Sequence, residues 1–79
     1  MAAKAFVLME TAVGRNKEVT MALEKIKGVK SVDVVTGPYD IIAVIEAVTL
    51  NYIDDLVTGK IHLIPGISRT VTCLALRSI

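Results

Sequence analysis

Asp40 is the residue whose surroundings point most directly to ligand chemistry. It follows Gly37, Pro38 and Tyr39 and directly precedes the apolar segment Ile41–Ala47. Glycine readily adopts positive φ, and proline fixes φ at about −65°. Gly37 and Pro38 therefore predict a tight turn that leads into a strand. A carboxylate at the start of that strand can stabilise the turn, or it can accept hydrogen bonds from a ligand's ammonium group. The residues alone leave both roles open.

Thr70 and Thr72 offer two hydroxyl groups in the last apolar segment of the chain. Their spacing places them on the same face of a strand, because successive side chains of a strand alternate between its faces. Threonine is common in strands, which gives both residues a purely structural explanation. Each hydroxyl can also donate and accept a hydrogen bond, as binding of a small zwitterion requires.

Three other reactive side chains have structural explanations that we favour over catalysis. His62 lies in or just past the predicted second helix, near its C-terminal end, where a partly protonated imidazole is favourable. Cys73 lies in an apolar segment and is expected to behave as a small hydrophobic residue. Glu46 falls in a predicted central strand, so its carboxylate needs the rim of the sheet or a partner, and we expect an ion pair across a dimer.

Several function classes lack the residues that they need. The sequence has no nucleophile motif, phosphate-binding loop or metal signature. One His and one Cys provide neither an internal disulfide nor the ligands of a structural zinc site. Nine Lys and Arg against eight Asp and Glu give a net charge of +1, which is too balanced for an electrostatic nucleic-acid surface. We therefore expect no catalytic activity, no cofactor and no direct contact with nucleic acid.

Apolar patterning in the first half predicts a strand, a helix and a second strand. The first strand lies within residues 4–11 and is apolar on both faces, as is typical of a strand covered on both sides. A helix capped by Asn16 follows and ends with Gly28 as its C′ residue. Its apolar stripe is formed by Val19, Ala22, Leu23 and Ile26. Residues 29–35 then alternate between apolar and polar, which predicts an edge strand.

The second half repeats this pattern in the order strand, helix, strand. Residues 41–47 are apolar on both faces and are expected in the middle of the sheet. A second helix, capped by Thr49 or Asn51, has Gly59 in its last turn and stops before Pro65 and Gly66. Its helical period is carried by Ile53, Leu56, Val57, Ile61 and Ile64. The last strand spans residues 67–76.

The order βαββαβ predicts an α+β fold of the ferredoxin-like type. Right-handed crossovers favour a four-stranded antiparallel sheet of order 4-1-3-2 with two helices on one face. The other face needs a partner, and a chain of 79 residues forms only a small core. A face-to-face dimer is therefore expected. With neither a signal peptide nor an apolar run of about 20 residues, the chain is expected to be soluble and cytoplasmic.

The turn, the last strand and the element order together resemble the RAM (regulation of amino-acid metabolism) domain of Lrp/AsnC transcription regulators. The family's turn motif has Gly, a variable residue, an aromatic residue and Asp, which match residues 37–40. Its two strand-four threonines match Thr70 and Thr72, and Pro65-Gly66-Ile67 precedes them. Pro38 stands where family members often have a polar residue, so the ligand preference does not carry over.

The resemblance implies face-to-face dimers that assemble into rings, commonly octamers, with amino-acid effectors bound between neighbouring dimers. Asp40 would bind the α-ammonium group and the amides of residues 37–40 the carboxylate. Thr70 or Thr72 would supply hydroxyls, and Tyr39 would shape the pocket. Family regulators carry an N-terminal helix-turn-helix domain, whereas residues 1–79 correspond to the RAM domain alone. The resemblance thus implies a stand-alone RAM protein that co-assembles with full-length regulators or buffers the effector.

Three alternative functions are compatible with this sequence. An ACT-like regulatory domain also binds amino acids but normally controls an attached enzyme, and it pairs its sheets side by side. A small dimeric α+β-barrel enzyme of the cofactor-free monooxygenase type would need a general base, for which His62 is the ordinary choice. A purely structural assembly protein would bind no metabolite between its dimers.

Overall fold

The computed structural model describes residues 2–77, and its elements follow the predicted order. Four strands and two helices follow one another in the expected order βαββαβ, and a short 3-10 helix, Ile61–Leu63, follows the second α-helix. The strands are β1 (Ala3–Thr11), β2 (Val29–Val34), β3 (Ile41–Ala47) and β4 (Ile67–Leu74), and the helices are α1 (Asn16–Glu24) and α2 (Leu50–Gly59).

All four strands join one antiparallel sheet in the order β2-β3-β1-β4. This is the predicted order 4-1-3-2 read from the opposite edge, so the ferredoxin-like α+β prediction is confirmed. The strands with two apolar faces, β1 and β3, occupy the centre, where both faces of a strand can be covered. The alternating strand β2 lies at an edge, as its polar residues require.

The hydrophobic core lies between one face of the sheet and both helices. Every second residue of β1 and β3 points into it, in keeping with the two-residue period of a strand. Apolar residues of α1, α2 and the 3-10 helix close it from the other side. The buried cluster consists of Ala5, Val7, Met9, Val19, Leu23, Ile41, Ala43, Ile45, Ile53, Val57 and Ile61.

The opposite side of the sheet, which we call the open face, is not covered by either helix. The strand register arranges its side chains in rows that cross the sheet. Two middle rows are mostly apolar, while the rows at the two ends carry charges. The middle rows are Ser31-Val44-Phe6-Cys73 and Asp33-Ile42-Leu8-Val71, and the end rows contain Glu46 beside Lys4 and Glu10 beside Arg69. Phe6 is 37% exposed, so this face presents an apolar centre with a polar rim.

The boundaries of α1 differ from the prediction at both ends. Asn16 is the first helical residue rather than the cap, and Arg15 occupies the cap position without a side-chain bond to the first turn. Helical bonding starts one residue earlier because the Arg15 carbonyl already accepts from the Val19 N–H at 3.0 Å. The helix ends at Glu24 with Lys25 as its cap, so Gly28 is not C′. Gly28 instead accepts from the Glu46 N–H at 2.9 Å and begins the pairing of β2 with β3.

The limits of α2 agree more closely with the sequence. Thr49 is the cap, and its hydroxyl accepts from the Tyr52 N–H at 3.1 Å, whereas Asn51 lies inside the helix. Gly59 is the last α-helical residue, as expected. The predicted strands at residues 29–35 and 67–76 end earlier, at Val34 and Leu74. β2 stops at Val34 because its partner β3 begins only at Ile41, and β4 stops at Leu74, which lies opposite Ala5 of β1.

Candidate functional site

Asp40 is held firmly against the C-terminal end of β1. Its N–H donates to the Met9 carbonyl at 2.9 Å, and its own carbonyl accepts from the Val35 N–H at 2.8 Å. Its carboxylate oxygen Oδ2 accepts from the Thr11 N–H at 2.9 Å. The stabilising contact of this side chain is therefore with the neighbouring strand rather than with its own turn. An ionised carboxylate accepts about four hydrogen bonds, so this single bond leaves capacity for a ligand's ammonium group.

The turn that precedes Asp40 has the geometry that its sequence demands. Gly37 has φ +133°, a conformation that residues with a Cβ rarely adopt. The Val35 to Asp40 backbone bond closes the loop between β2 and β3. Gly37 and Pro38 are exposed, and Tyr39 is partly buried. These residues thus form the connection between β2 and β3 at one end of the sheet.

Thr70 and Thr72 lie on the helix side of β4, opposite Met9 and Val7 of β1. The shared face that the sequence predicts is confirmed. Thr72 is exposed and lines a groove of about 210 Å³ together with residues of α2 and the end of β4. The other lining residues are Leu50, Ile53, Asp54, Val57 and Leu74. Its walls are aliphatic, and Asp54 and Thr72 are its polar lining residues.

His62 makes a contact with a candidate site residue that the sequence reasoning missed. It lies in the 3-10 helix just past α2, as predicted, but its Nε2 is 2.9 Å from the Thr70 hydroxyl. The two residues flank the turn at Pro65 and Gly66. That turn was the one available signal, since a reversal there folds β4 back alongside the end of α2.

The turn and the two threonines do not share a pocket in one chain. β1 lies between β3 and β4, so Asp40 and the threonines flank that strand on opposite sides. No residue of the turn 37–40 lines either the Thr72 groove or the depression that contains Thr70. Within residues 2–77, no group of three or more His, Cys, Asp or Glu residues is placed to hold a metal ion. No helix in that part of the chain has the length and apolar character needed to cross a bilayer.

Comparison with protein families identifies the chain over almost its full length. Residues 4–79 match the family model described as the Lrp/AsnC ligand binding domain. This chain belongs to the Lrp/AsnC ligand-binding domain family. Membership confirms the resemblance to the RAM domain, which neither the ACT-like nor the monooxygenase-type alternative predicts.

Solved structures of similar length have the same fold. The crystal structure of FFRP-DM1 is 40% identical, with a TM-score of 0.90, and the match covers 94% of this chain and 99% of that one. A crystal structure from Thermus thermophilus is 35% identical, with a TM-score of 0.92, and the match covers 98% of this chain and 96% of that one. The sheet order and the two helices of this Lrp/AsnC domain therefore follow an experimentally observed architecture.

A more distantly related solved structure contains an amino acid. It is a transcriptional regulator from Neisseria meningitidis in complex with L-Met, 16% identical, with a TM-score of 0.89. The match covers 98% of this chain but 51% of that one, so the likeness concerns the fold of about half of the regulator. A comparison with curated protein sequences gave no significant match.

Proposed function

We propose that this chain is an amino-acid-binding module that contributes to transcriptional regulation of amino-acid metabolism and has no catalytic activity. The observation that carries the proposal is the match of residues 4–79 to a ligand-binding domain of transcription regulators. The L-Met complex of the Neisseria meningitidis regulator supports an amino acid as the class of ligand. The fold alone is common to many functions, so the proposal depends on the site residues below.

Asp40 is the proposed ligand of the effector's α-ammonium group. Its backbone is fixed by bonds to Met9 and Val35, and its carboxylate position is fixed by the Thr11 N–H. A fixed carboxylate loses little conformational freedom when a ligand binds, which favours affinity. Charge-assisted bonds between an ammonium group and a carboxylate are also among the stronger hydrogen bonds.

The remaining proposed site residues surround that carboxylate or approach it from another chain. Gly37 and Pro38 set the shape of the turn, and Tyr39 forms a wall of the pocket. Thr70 and Thr72 supply hydroxyls from β4. Because β1 separates the turn from the threonines within one chain, a site that holds both sets is formed between copies, with the turn from one and β4 from another.

The open face is the proposed dimer interface, and the dimer is the first step of the proposed assembly. Its apolar middle rows and charged end rows match the usual anatomy of a protein interface, which has an apolar core and a polar rim. A second copy packed face to face would cover Phe6, Leu8 and Val44 and add the burial that a small domain lacks. We propose that such dimers associate further, in a ring such as an octamer, and that the effector binds between dimers.

DNA binding is assigned to other proteins in this proposal. Residues 1–79 act as a single RAM domain with a net charge of +1, too balanced for a nucleic-acid surface. Two relatives, FFRP-DM1 and the Thermus thermophilus protein, have chains of nearly the same extent. The module either co-assembles in the cytoplasm with full-length Lrp/AsnC regulators that carry a helix-turn-helix domain, or it buffers the effector.

Sedimentation velocity with and without amino acids tests the sensing role. An amino acid that binds, added at about 100 times its dissociation constant, should change the distribution of dimers and larger assemblies. A ligand shifts such an equilibrium only by its differential affinity for the two states. Amino acids that show no binding in calorimetry serve as controls and should leave the distribution unchanged. An amino acid that binds without altering the distribution would contradict effector-coupled assembly.

A further inference from the structure

A groove of about 310 Å³ lies at the opposite end of the sheet from Asp40. Its walls are the connection from α1 to β2, the end of β3 and the first two turns of α2. This volume is at the lower end of the range, about 300 to 1,000 Å³, of pockets that bind small organic molecules. Its charged lining residues are Lys27, Lys30 and Glu46, and its apolar wall includes Val48, Tyr52 and Leu56.

This groove is separate from the proposed amino-acid site. Glu46 and Ala47 pair with the first residues of β1. Asp40 contacts Met9 and Thr11 at the other end of that strand, and a rise of about 3.3 Å per residue places these two ends about 20 Å apart. Glu46 is the one lining residue that lies in a row of the open face. The groove therefore stays accessible when a second copy covers that face.

The backbone around the groove is closely packed. Gly28 has φ +105°, and a Cβ on it would lie 2.9 Å from Leu56 Cδ1 and 3.3 Å from the Glu46 carbonyl oxygen. The Gly28 carbonyl accepts from the Glu46 N–H at 2.9 Å. At the start of α2, the Tyr52 N–H donates to the capping hydroxyl of Thr49 at 3.1 Å. The chain segments that carry the two lysines, Glu46 and Tyr52 are thus held in place before a ligand binds.

Lys27 and Lys30 bring two positive charges to the groove. Both side chains are exposed, and neither belongs to an ion pair within residues 2–77. Cations near the C-terminus of a helix can simply complement its partial negative charge, but this effect is confined to the last turn. α1 ends at Glu24 and has no basic residue in its last turn, so the helix does not account for Lys27 and Lys30. Two ammonium groups without partners attract a doubly charged anion.

The α2 side of the groove offers an exposed aromatic ring. Tyr52 is 55% exposed and Val48 is 76% exposed, so a flat ligand ring can reach the tyrosine. Every nucleic-acid base has a π-face that stacks on an aromatic side chain. Glu46 is half-buried, and its carboxylate can accept hydrogen bonds from amino or hydroxyl groups. The groove therefore combines partners for an anion, a planar ring and a hydrogen-bond donor.

We propose that this groove binds a nucleoside monophosphate, with the phosphate at Lys27 and Lys30 and the base against Tyr52. A phosphate monoester carries a charge of about −1.5 to −2 at pH 7, which matches two lysines better than the single charge of a carboxylate does. Lysine binds phosphate as a point charge. Glu46 accepts a hydrogen bond from a ribose hydroxyl or an exocyclic amino group. This inference does not depend on the amino-acid site at Asp40.

Titration calorimetry on the full chain tests the proposal, at low ionic strength because salt screens exposed charges. The monophosphates of adenosine, guanosine, cytidine and uridine would be compared with their nucleosides and with inorganic phosphate. At least one monophosphate should bind at least about tenfold more tightly than its nucleoside and than phosphate, because each of those lacks one of the two main contacts. The proposal is overturned if no monophosphate binds at millimolar concentration, or if the nucleoside or phosphate alone binds equally well.

Variants of the lysines assign the phosphate. The double variant Lys27→Gln, Lys30→Gln should bind the monophosphate at least about tenfold more weakly, because both charges are lost. Lys17→Gln, at an exposed position of α1 outside the groove, is the matched control and should bind like the wild type. Wild-type affinity in the double variant, or an equal loss in the control, would contradict the assignment.

Variants of Tyr52 assign the base. Tyr52→Leu should weaken binding at least about fivefold, because stacking is lost, whereas Tyr52→Phe keeps the ring and should bind like the wild type. Thermal unfolding of each variant checks that the fold is intact. Equal affinities in Tyr52→Leu and Tyr52→Phe would show that the base does not stack on this ring and would overturn the proposed binding mode.

Discussion

An Asp40→Asn variant should bind an amino-acid effector at least about tenfold more weakly than the wild type while keeping its fold. The amide oxygen of Asn can still accept the Thr11 N–H that now bonds to the Asp40 carboxylate at 2.9 Å. The negative charge that would bind the α-ammonium group is lost, together with a charge-assisted bond of at least about 1.5 kcal/mol. Titration calorimetry with the bound amino acid measures the difference.

Two comparison variants make the Asp40 result specific. Asp55→Asn removes a carboxylate from an exposed position on α2 outside the proposed site and should leave affinity unchanged. Asp40→Ala should also lower the free energy of unfolding by about 1–3 kcal/mol, because it leaves the Thr11 N–H without its partner. Unchanged affinity in both Asp40 variants would contradict the role assigned to this carboxylate.

If the proposed face-to-face dimer forms, a Val44→Glu variant should be monomeric at concentrations where the wild type is dimeric. Val44 lies in a middle row of the open face beside Phe6, so a face-to-face dimer would bury the new carboxylate twice, once from each copy. An unpaired charge costs several kcal/mol to bury. We expect the dissociation constant of the dimer to rise at least about a hundredfold, as measured by analytical ultracentrifugation.

Val13→Glu is the matched control for the open face. Val13 is fully exposed in the loop between β1 and α1, away from the apolar rows, and the same change of residue there should leave the dimer intact. A Val44→Glu protein with the sedimentation behaviour of the wild type would place the interface elsewhere. Dissociation by both variants would also contradict the assignment, since the effect would then be unspecific.

The fold could be predicted because its signals are periodic and strong. β1 and β3 are apolar on both faces, so they were expected in the centre of the sheet, where the structure places them. β2 alternates and therefore falls at an edge. Helix ends were less predictable, because they depend on single backbone conformations: Arg15, which has no capping side chain, took the position predicted for Asn16.

The candidate site was predictable only where its residues are close in sequence. The turn that carries Asp40 follows from Gly37 and Pro38, and the shared face of Thr70 and Thr72 follows from their spacing. The bond from His62 to Thr70 depends on the path of β4 after the turn at Pro65 and Gly66. That turn signals a reversal of the chain but does not specify which side chains meet. The roles of the turn and of the threonines in binding stay predictions.

Thermal unfolding of the wild type against the common amino acids tests the central claim most directly. A ligand that binds only the folded protein adds about 2.7 kcal/mol at 100 times its dissociation constant, which raises the Tm of a domain of this size by about 10–20 °C. We predict a selective rise with one amino acid or a chemically related group. A flat panel at millimolar ligand would contradict the claim and favour a purely structural role in assembly.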